Sequence, residues 1–187
     1  MKFSKLVAGT MSWGAWGRRF NSLDMQRQIE NTVGLGISTF DHADIYGGYT
    51  TESAFGAAFS KTNISRSSIQ LISKCGIQLQ TPNRSNRLKH YDCSKNYIIS
   101  SAESSLKHLK TDYLDLLLIH RPSPLMDPHD IMEAVQYLKK EGKIINFGVS
   151  NFTPSQVELL ASEVAVAVNQ IEFSVVQHQA LFDGTLD

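Results

Sequence analysis

The sequence has few of the features that mark disulfide-rich, nucleic-acid-binding or membrane proteins. Of its 187 residues only two are cysteines, Cys75 and Cys93, and they lack the spacing of metal ligands. Eighteen basic residues balance eighteen acidic ones, with no charged run or basic patch, so charge gives no reason to expect nucleic acid as a partner. No apolar stretch has the length of a signal peptide or a membrane span. These absences favour a cytoplasmic protein with neither nucleic-acid nor membrane partners.

Six short apolar runs alternate with amphipathic stretches, as expected for repeated strand–helix units. Several runs are apolar on both faces, most clearly 114–120, which is typical of parallel strands covered by helices. The polar stretch 78–93 is predicted to be a long loop. The six runs lie at 6–10, 37–43, 69–76, 113–121, 144–151 and 166–173.

Capping residues predict where the intervening helices begin. Asp24 is expected to cap the first helix and Ser94 a later one. Asp127 is followed by Pro128, a cap with proline at the first helical position. Thr153 precedes Gln156 by three residues, which is the spacing of a capping box.

Serial strand–helix units with right-handed crossovers predict either a doubly wound sheet or a (β/α)₈ TIM barrel. A barrel normally needs about 250 residues. We therefore expect residues 1–187 to form a single, incomplete barrel domain with six of the eight units. The open edges of its first and sixth strands would make the chain unstable alone or drive it to associate.

Polar and ionisable residues gather where the predicted strands end. In barrels and open α/β sheets alike, the carboxyl ends of the strands hold the active site. The sequence therefore predicts a site built from the ends of five strands. Its residues are Asp41, Lys74, His120, the pair Ser150 and Asn151, and Asn169, Gln170 and Glu172.

Four of the candidate residues suit proton transfer to a carbonyl oxygen. Tyr46 is a weak acid, and a neighbouring Lys74 ammonium would lower its pKa. Asp41 would keep that ammonium charged and oriented, and the His120 imidazole would hold the carbonyl oxygen.

Several segments resemble those of the aldo-keto reductases. Residues 40–56, FDHADIYGGYTTESAFG, resemble the family segment in which the catalytic tyrosine follows an aspartate by five residues. SKCG at 73–76 is similar to the lysine strand, and DLLLIHRP at 115–122 to the histidine strand. GVSNF at 148–152 and VNQIE at 168–172 resemble the two strands that bind the nicotinamide carboxamide.

The resemblance implies hydride transfer from NADPH, with NADH as the alternative, to a small aldehyde or ketone. Tyr46 would be the general acid, Lys74 and Asp41 would tune it, and His120 would orient the substrate. Trp13 and Trp16 would line the substrate pocket. The resemblance further implies seven cofactor-binding residues, namely Gly9, Thr10, Met11, Asp41, Ser150, Asn151 and Gln170.

Three other interpretations stay open on the sequence. The chain could be a non-catalytic relative that binds cofactor or a partner protein, or it could be a fragment of a longer protein. A metal-dependent hydrolase on a similar barrel is disfavoured, because Lys74 would place a cation among the ligands and the histidines lack a paired spacing. Its ligands would come from Asp41, His42, Asp44, His120 and Glu172.

Overall fold

A computed structural model describes residues 3–186, and its strands form one curled parallel sheet and one hairpin. All neighbours in the six-stranded sheet are parallel, and the hairpin is antiparallel. The strands are β1 (Val7–Gly9), β2 (Thr39–Asp41), β3 (Gln70–Cys75), β4 (Ile77–Gln78), β5 (His90–Tyr91), β6 (Leu114–Ile119), β7 (Ile144–Ser150) and β8 (Asn169–Gln170).

The order of the large sheet, β1-β2-β3-β6-β7-β8, follows the order of the chain. A doubly wound sheet requires a point at which the strand order reverses, and the described sheet has none. The predicted barrel architecture is therefore confirmed, with six parallel strands forming a curled half-barrel. Because all six strands are parallel, their carboxyl ends lie on the same side of the sheet.

Helices connect the strands on the outer face of the sheet. Within the described residues no helix combines the length and apolarity needed to cross a membrane. The helices are α1 (Ser22–Gly34), α2 (Tyr46–Tyr49), α3 (Thr51–Phe59), α4 (Lys95–Leu109), α5 (Pro128–Lys140) and α6 (Pro154–Ala161), with 3₁₀ turns at Arg66–Ser68 and Gln179–Leu181.

Three of the four predicted caps are confirmed. Ser94 caps α4, Asp127 caps α5 ahead of Pro128, and Thr153 forms the capping box of α6. The prediction for α1 was wrong, because the helix begins earlier: the Asn21 Oδ1 atom accepts the backbone N–H groups of Leu23 and Asp24. Asp24 lies in the first turn, where its negative charge still favours the helix N-terminus.

The stretch 78–93 is less irregular than predicted, and the sixth strand is shorter. Ile77 pairs with Tyr91 in the β4–β5 hairpin, which begins directly after β3. Within the run 166–173 only Asn169 and Gln170 form a strand, and in the described sheet β8 pairs on one side alone, with β7.

Alternating side chains divide the core into two layers. Those facing outward, such as Phe40, Leu71 and Phe147, are fully buried beneath the helices. Those facing inward, Ile72 and Leu118 among them, form a smaller cluster inside the curled sheet. Residues at the ends of the inward-facing rows are thereby directed towards the mouth of the sheet.

The helices α3 and α4 approach closely at Gly56. A Cβ atom at this position would overlap the backbone of His108 and Leu109. The glycine therefore allows the two helices to pack backbone to backbone over β3.

Candidate active site

The strand ends bring most of the predicted residues into one cleft, whose volume is about 370 Å³. Asp41 ends β2, Ser150 ends β7 and Gln170 ends β8, whereas His120 directly follows β6. The cleft is lined by eight of the ten predicted catalytic and cofactor-binding residues: Met11, Asp41, Tyr46, Lys74, His120, Ser150, Asn151 and Gln170.

The Lys74 ammonium connects three groups at the bottom of the cleft. Its Nζ atom donates to Asp41 Oδ1 at 2.5 Å, to the His42 carbonyl at 3.0 Å and to Tyr46 Oη at 3.3 Å. An ammonium has three protons to donate, so each of them has an acceptor. Burial lowers the pKa of Lys74, and the Asp41 carboxylate opposes that change.

Tyr46 is fixed by a tight turn that depends on two glycines. Gly47 and Gly48 adopt left-handed φ angles of 63° and 66°, and Tyr49 continues the turn with φ 71°. A Cβ atom on Gly47 would meet Thr51 Oγ1 at 2.5 Å. The chain therefore reverses directly after Tyr46 and enters α3, which leaves the Tyr46 hydroxyl within reach of Lys74.

The Tyr46 phenol differs from the prediction in its acidity. Burial raises its pKa above the usual value, and the negative charge of Asp41 raises it further. The predicted decrease in this pKa is therefore not found, because burial and the Asp41 charge set its direction. Tyr46 is consequently protonated at neutral pH, the state in which a phenol can donate a proton.

His120 lies beside Tyr46 as a neutral imidazole. The two ring centroids are 6.1 Å apart. Burial lowers the pKa of His120 to about 3, and the positive charges of Lys74, Arg121 and Lys89 act in the same direction. Its Nδ1 atom is buried without a hydrogen-bond partner among residues 3–186.

Amide and hydroxyl groups form the opposite side of the cleft. Asn151 has a left-handed φ of 57°, and its backbone N–H donates to the Gln170 carbonyl at 2.9 Å. Its side chain donates to Ser150 Oγ at 2.9 Å and accepts the Glu172 backbone N–H at 3.0 Å. Hydroxyl and amide side chains both donate and accept hydrogen bonds, so this group suits a carboxamide ligand.

Two predicted cofactor contacts, Gly9 and Thr10, do not line the cleft. The Thr10 side chain is fully buried, donates to the Asp41 carbonyl at 3.0 Å and lies 2.9 Å from His42 Nδ1. Thr10 therefore supports the backbone beneath the cleft. Gly9 pairs with Asp41 inside the sheet.

The two tryptophans, Trp13 and Trp16, lie in different environments. Trp16 lines the cleft, with its ring centroid 6.2 Å from that of Tyr46. Trp13 is instead 7% exposed and packs against Phe40 and Phe55 in the core. The prediction that Trp13 lines the pocket was therefore wrong, because the β1–α1 loop turns that side chain inward.

The ligands suggested for a metal-dependent hydrolase do not converge. His42 faces Thr10 and Phe55, and burial lowers its pKa to about 3. Asp44 points towards α4, where it accepts hydrogen bonds from Tyr97 and Ser101 at 2.9 Å each. Among residues 3–186 no three His, Cys, Asp or Glu side chains come together as a possible metal site.

Sequence reasoning missed the roles of two buried carboxyls behind the cleft. Burial raises the pKa of Asp44 to about 6 and that of Glu52 to about 7. Glu52 Oε1 accepts the Ser73 hydroxyl at 2.6 Å, beneath the lysine strand. Both residues occur within the segment 40–56, but no feature of the sequence shows that they face the helices instead of the cleft.

Comparison with known proteins supports the arrangement. The family model described as "Aldo/keto reductase family" matches residues 5–183. The oxidoreductase YcsN of Bacillus subtilis is 45% identical, with 100% of this chain and 63% of YcsN covered, and Oxidoreductase YdhF of Escherichia coli is 46% identical, with coverages of 100% and 62%. The chain thus spans less than two thirds of these relatives' length. The glycerol dehydrogenase AKR11B4 from Gluconobacter oxydans superposes with a TM-score of 0.84 at 25% identity, over 95% of this chain and 54% of its own.

Proposed function

Because the chain belongs to the aldo/keto reductase family, we propose that it reduces the carbonyl group of a small aldehyde or ketone to an alcohol with NADPH. One observation supports this proposal above the others: Tyr46, Lys74, Asp41 and His120 meet in one cleft at the strand ends. We further propose that residues 1–187 belong to a single domain, because one sheet positions all four side chains.

The nicotinamide supplies the hydride when it is bound. Tyr46 donates its phenolic proton to the carbonyl oxygen as negative charge develops there. The phenolate left behind lies 3.3 Å from the Lys74 ammonium, which stabilises it. Asp41 holds that ammonium in place, and the neutral His120 ring orients the carbonyl oxygen.

Ser150, Asn151 and Gln170 are the proposed ligands of the nicotinamide carboxamide, with Met11 beside them. Their amide and hydroxyl groups border the same cleft as Tyr46. These residues would therefore hold the nicotinamide end of the cofactor in the cleft that contains Tyr46. The preference for NADPH over NADH rests on the family resemblance. The two free cysteines, both buried, fit the reducing cytoplasm proposed as the location.

Cofactor binding gives the first test of this proposal. NADPH and NADH would be titrated into the 187-residue chain while their fluorescence is followed. We expect saturable binding that Gln170→Ala weakens about tenfold, as for the loss of a well-formed hydrogen bond. Gln80→Ala, the same change at an exposed position of the 78–93 stretch, is the matched control and should bind as the unchanged chain does.

Turnover gives the second test. Aldehyde-dependent oxidation of NADPH by the same sample would support a reductase. Saturable binding with no turnover of any aldehyde would instead favour the non-catalytic, cofactor-binding alternative. Absence of binding, or equal weakening by Gln170→Ala and Gln80→Ala, would contradict the proposed cofactor site.

A further inference from the structure

Arg121 is a half-buried cation in the cleft with no partner from the described protein. It directly follows His120 and lines the same cleft. Within residues 3–186 its guanidinium has no carboxylate within 4.0 Å and makes no hydrogen bond. Arg66, which is also half-buried, is by contrast paired: it bonds to Thr111 and Asp115, and to two backbone carbonyls. A partly desolvated charge is costly unless it is paired, so Arg121 is suited to an anion from outside.

The other charges around the cleft leave Arg121 without compensation. Asp41 is committed to Lys74 at 2.5 Å. Glu172 also lines the cleft, but it is exposed and makes no ion pair with Arg121. The positive charges of Arg121 and of the exposed Lys89 both act on His120. Arg121 therefore leaves an uncompensated positive charge in the same cleft as Tyr46 and His120.

We propose that the substrate is a carbonyl compound that also carries a carboxylate, and that Arg121 binds this carboxylate and sets the specificity. The proposal takes from the proposed function that the carbonyl lies against Tyr46 and His120. The planar guanidinium presents two parallel N–H groups, a geometry that matches the two oxygens of a carboxylate. Lys89 is exposed and contributes attraction over a longer range.

The test compares two aldehydes with the same ring and a different charge at the para position: para-carboxybenzaldehyde and its uncharged methyl ester. Their dissociation constants would be measured by calorimetry with the 187-residue chain, without cofactor and at low salt. We expect the acid to bind about tenfold more tightly, as for one charge-assisted hydrogen-bonded pair. Arg121→Gln should bring the ratio close to one. Arg84→Gln, the same change in an arginine that lies over the Tyr49 ring outside the cleft, should preserve it.

Several outcomes would overturn this assignment. They are equal binding of acid and ester, no binding of the acid, and a preference that survives Arg121→Gln. If Arg121→Gln weakens NADPH binding but leaves the ratio of the acid and ester dissociation constants unchanged, the arginine binds the cofactor instead. If the acid binds more tightly than the ester but no aldehyde is reduced, the anion site is upheld and the proposed function is rejected. If an aldehyde is reduced but acid and ester bind equally, the proposed function is upheld and the anion site is rejected.

Discussion

Lys74 Nζ lies 2.5 Å from Asp41 Oδ1 in an ion pair whose side chains are only 3% and 13% exposed. Removal of one partner leaves a buried charge without compensation. We therefore expect Lys74→Met to lower the free energy of unfolding by about 3 kcal/mol, and the double variant Lys74→Met with Asp41→Leu to recover most of that loss. Urea denaturation would measure both. A double variant no more stable than the single one would show that the pair is not the source of the effect.

Tyr46→Phe removes only the hydroxyl that is proposed to protonate the substrate. We expect the turnover number for an aldehyde to fall at least about 100-fold, the usual size of a general-acid contribution. NADPH affinity and the melting temperature should hardly change, because the ring still fills its place. Tyr91→Phe removes a hydroxyl from the exposed hairpin and is the matched control. Turnover by Tyr46→Phe equal to that of the control would rule out Tyr46 as the acid.

The raised pKa of Glu52 predicts that Glu52→Gln stabilises the folded chain by an amount that depends on pH. Its pKa in the folded chain is about 7, raised from 4.5 mainly by burial. Because the folded-state pKa lies above the unfolded one, its contribution is most favourable below pH 4.5 and is lost as the pH rises to about 7. Glu52→Gln avoids this loss, so we expect it to gain about 3 kcal/mol relative to the unchanged chain between those pH values.

Thermal melts at several pH values would measure the Glu52 effect. The difference in melting temperature between Glu52→Gln and the unchanged chain reports on this carboxyl alone, because Asp44 and His42 are present in both. Glu163→Gln, at an exposed position, should give the same difference at every pH. A pH-independent difference for Glu52→Gln would contradict the predicted shift.

Gly56→Ala tests the close packing of α3 against α4. The added methyl group would overlap the His108 and Leu109 backbone, so the helices must separate. We expect a loss of about 2–3 kcal/mol in the free energy of unfolding. Gly34→Ala places the same methyl in open space at the end of α1 and should be neutral or stabilising by about 0.5 kcal/mol. Equal effects of the two substitutions in urea denaturation would reject the packing argument.

The strands and the cleft could be predicted because their signals are local. An apolar run such as 114–119 requires burial on both faces, and the polar residue that follows it, His120, then lies at the mouth of the sheet. The same reasoning placed Lys74 and Ser150 in the cleft. Thr10 and Trp13 were misplaced, because the direction of a side chain in a short loop depends on its tertiary neighbours.

Burial and pairing were the properties that the sequence did not reveal. The pKa of Tyr46 depends mainly on its desolvation, and the negative charge of Asp41 raises it further. The significance of Arg121 lies in its having no partner carboxylate among residues 3–186, which only the tertiary arrangement shows. The β4–β5 hairpin was also missed, because two short strands within a polar stretch leave no periodic pattern.

The order of the parallel sheet has a consequence for biosynthesis. Each strand pairs with the one that precedes it in the sheet, from β1 through β8. During translation, every strand of this sheet after β1 finds its partner strand already made, and no earlier pair has to open to admit it. The nascent chain can therefore extend its sheet one unit at a time, with unpaired backbone confined to the outer edge of β1 and the growing edge.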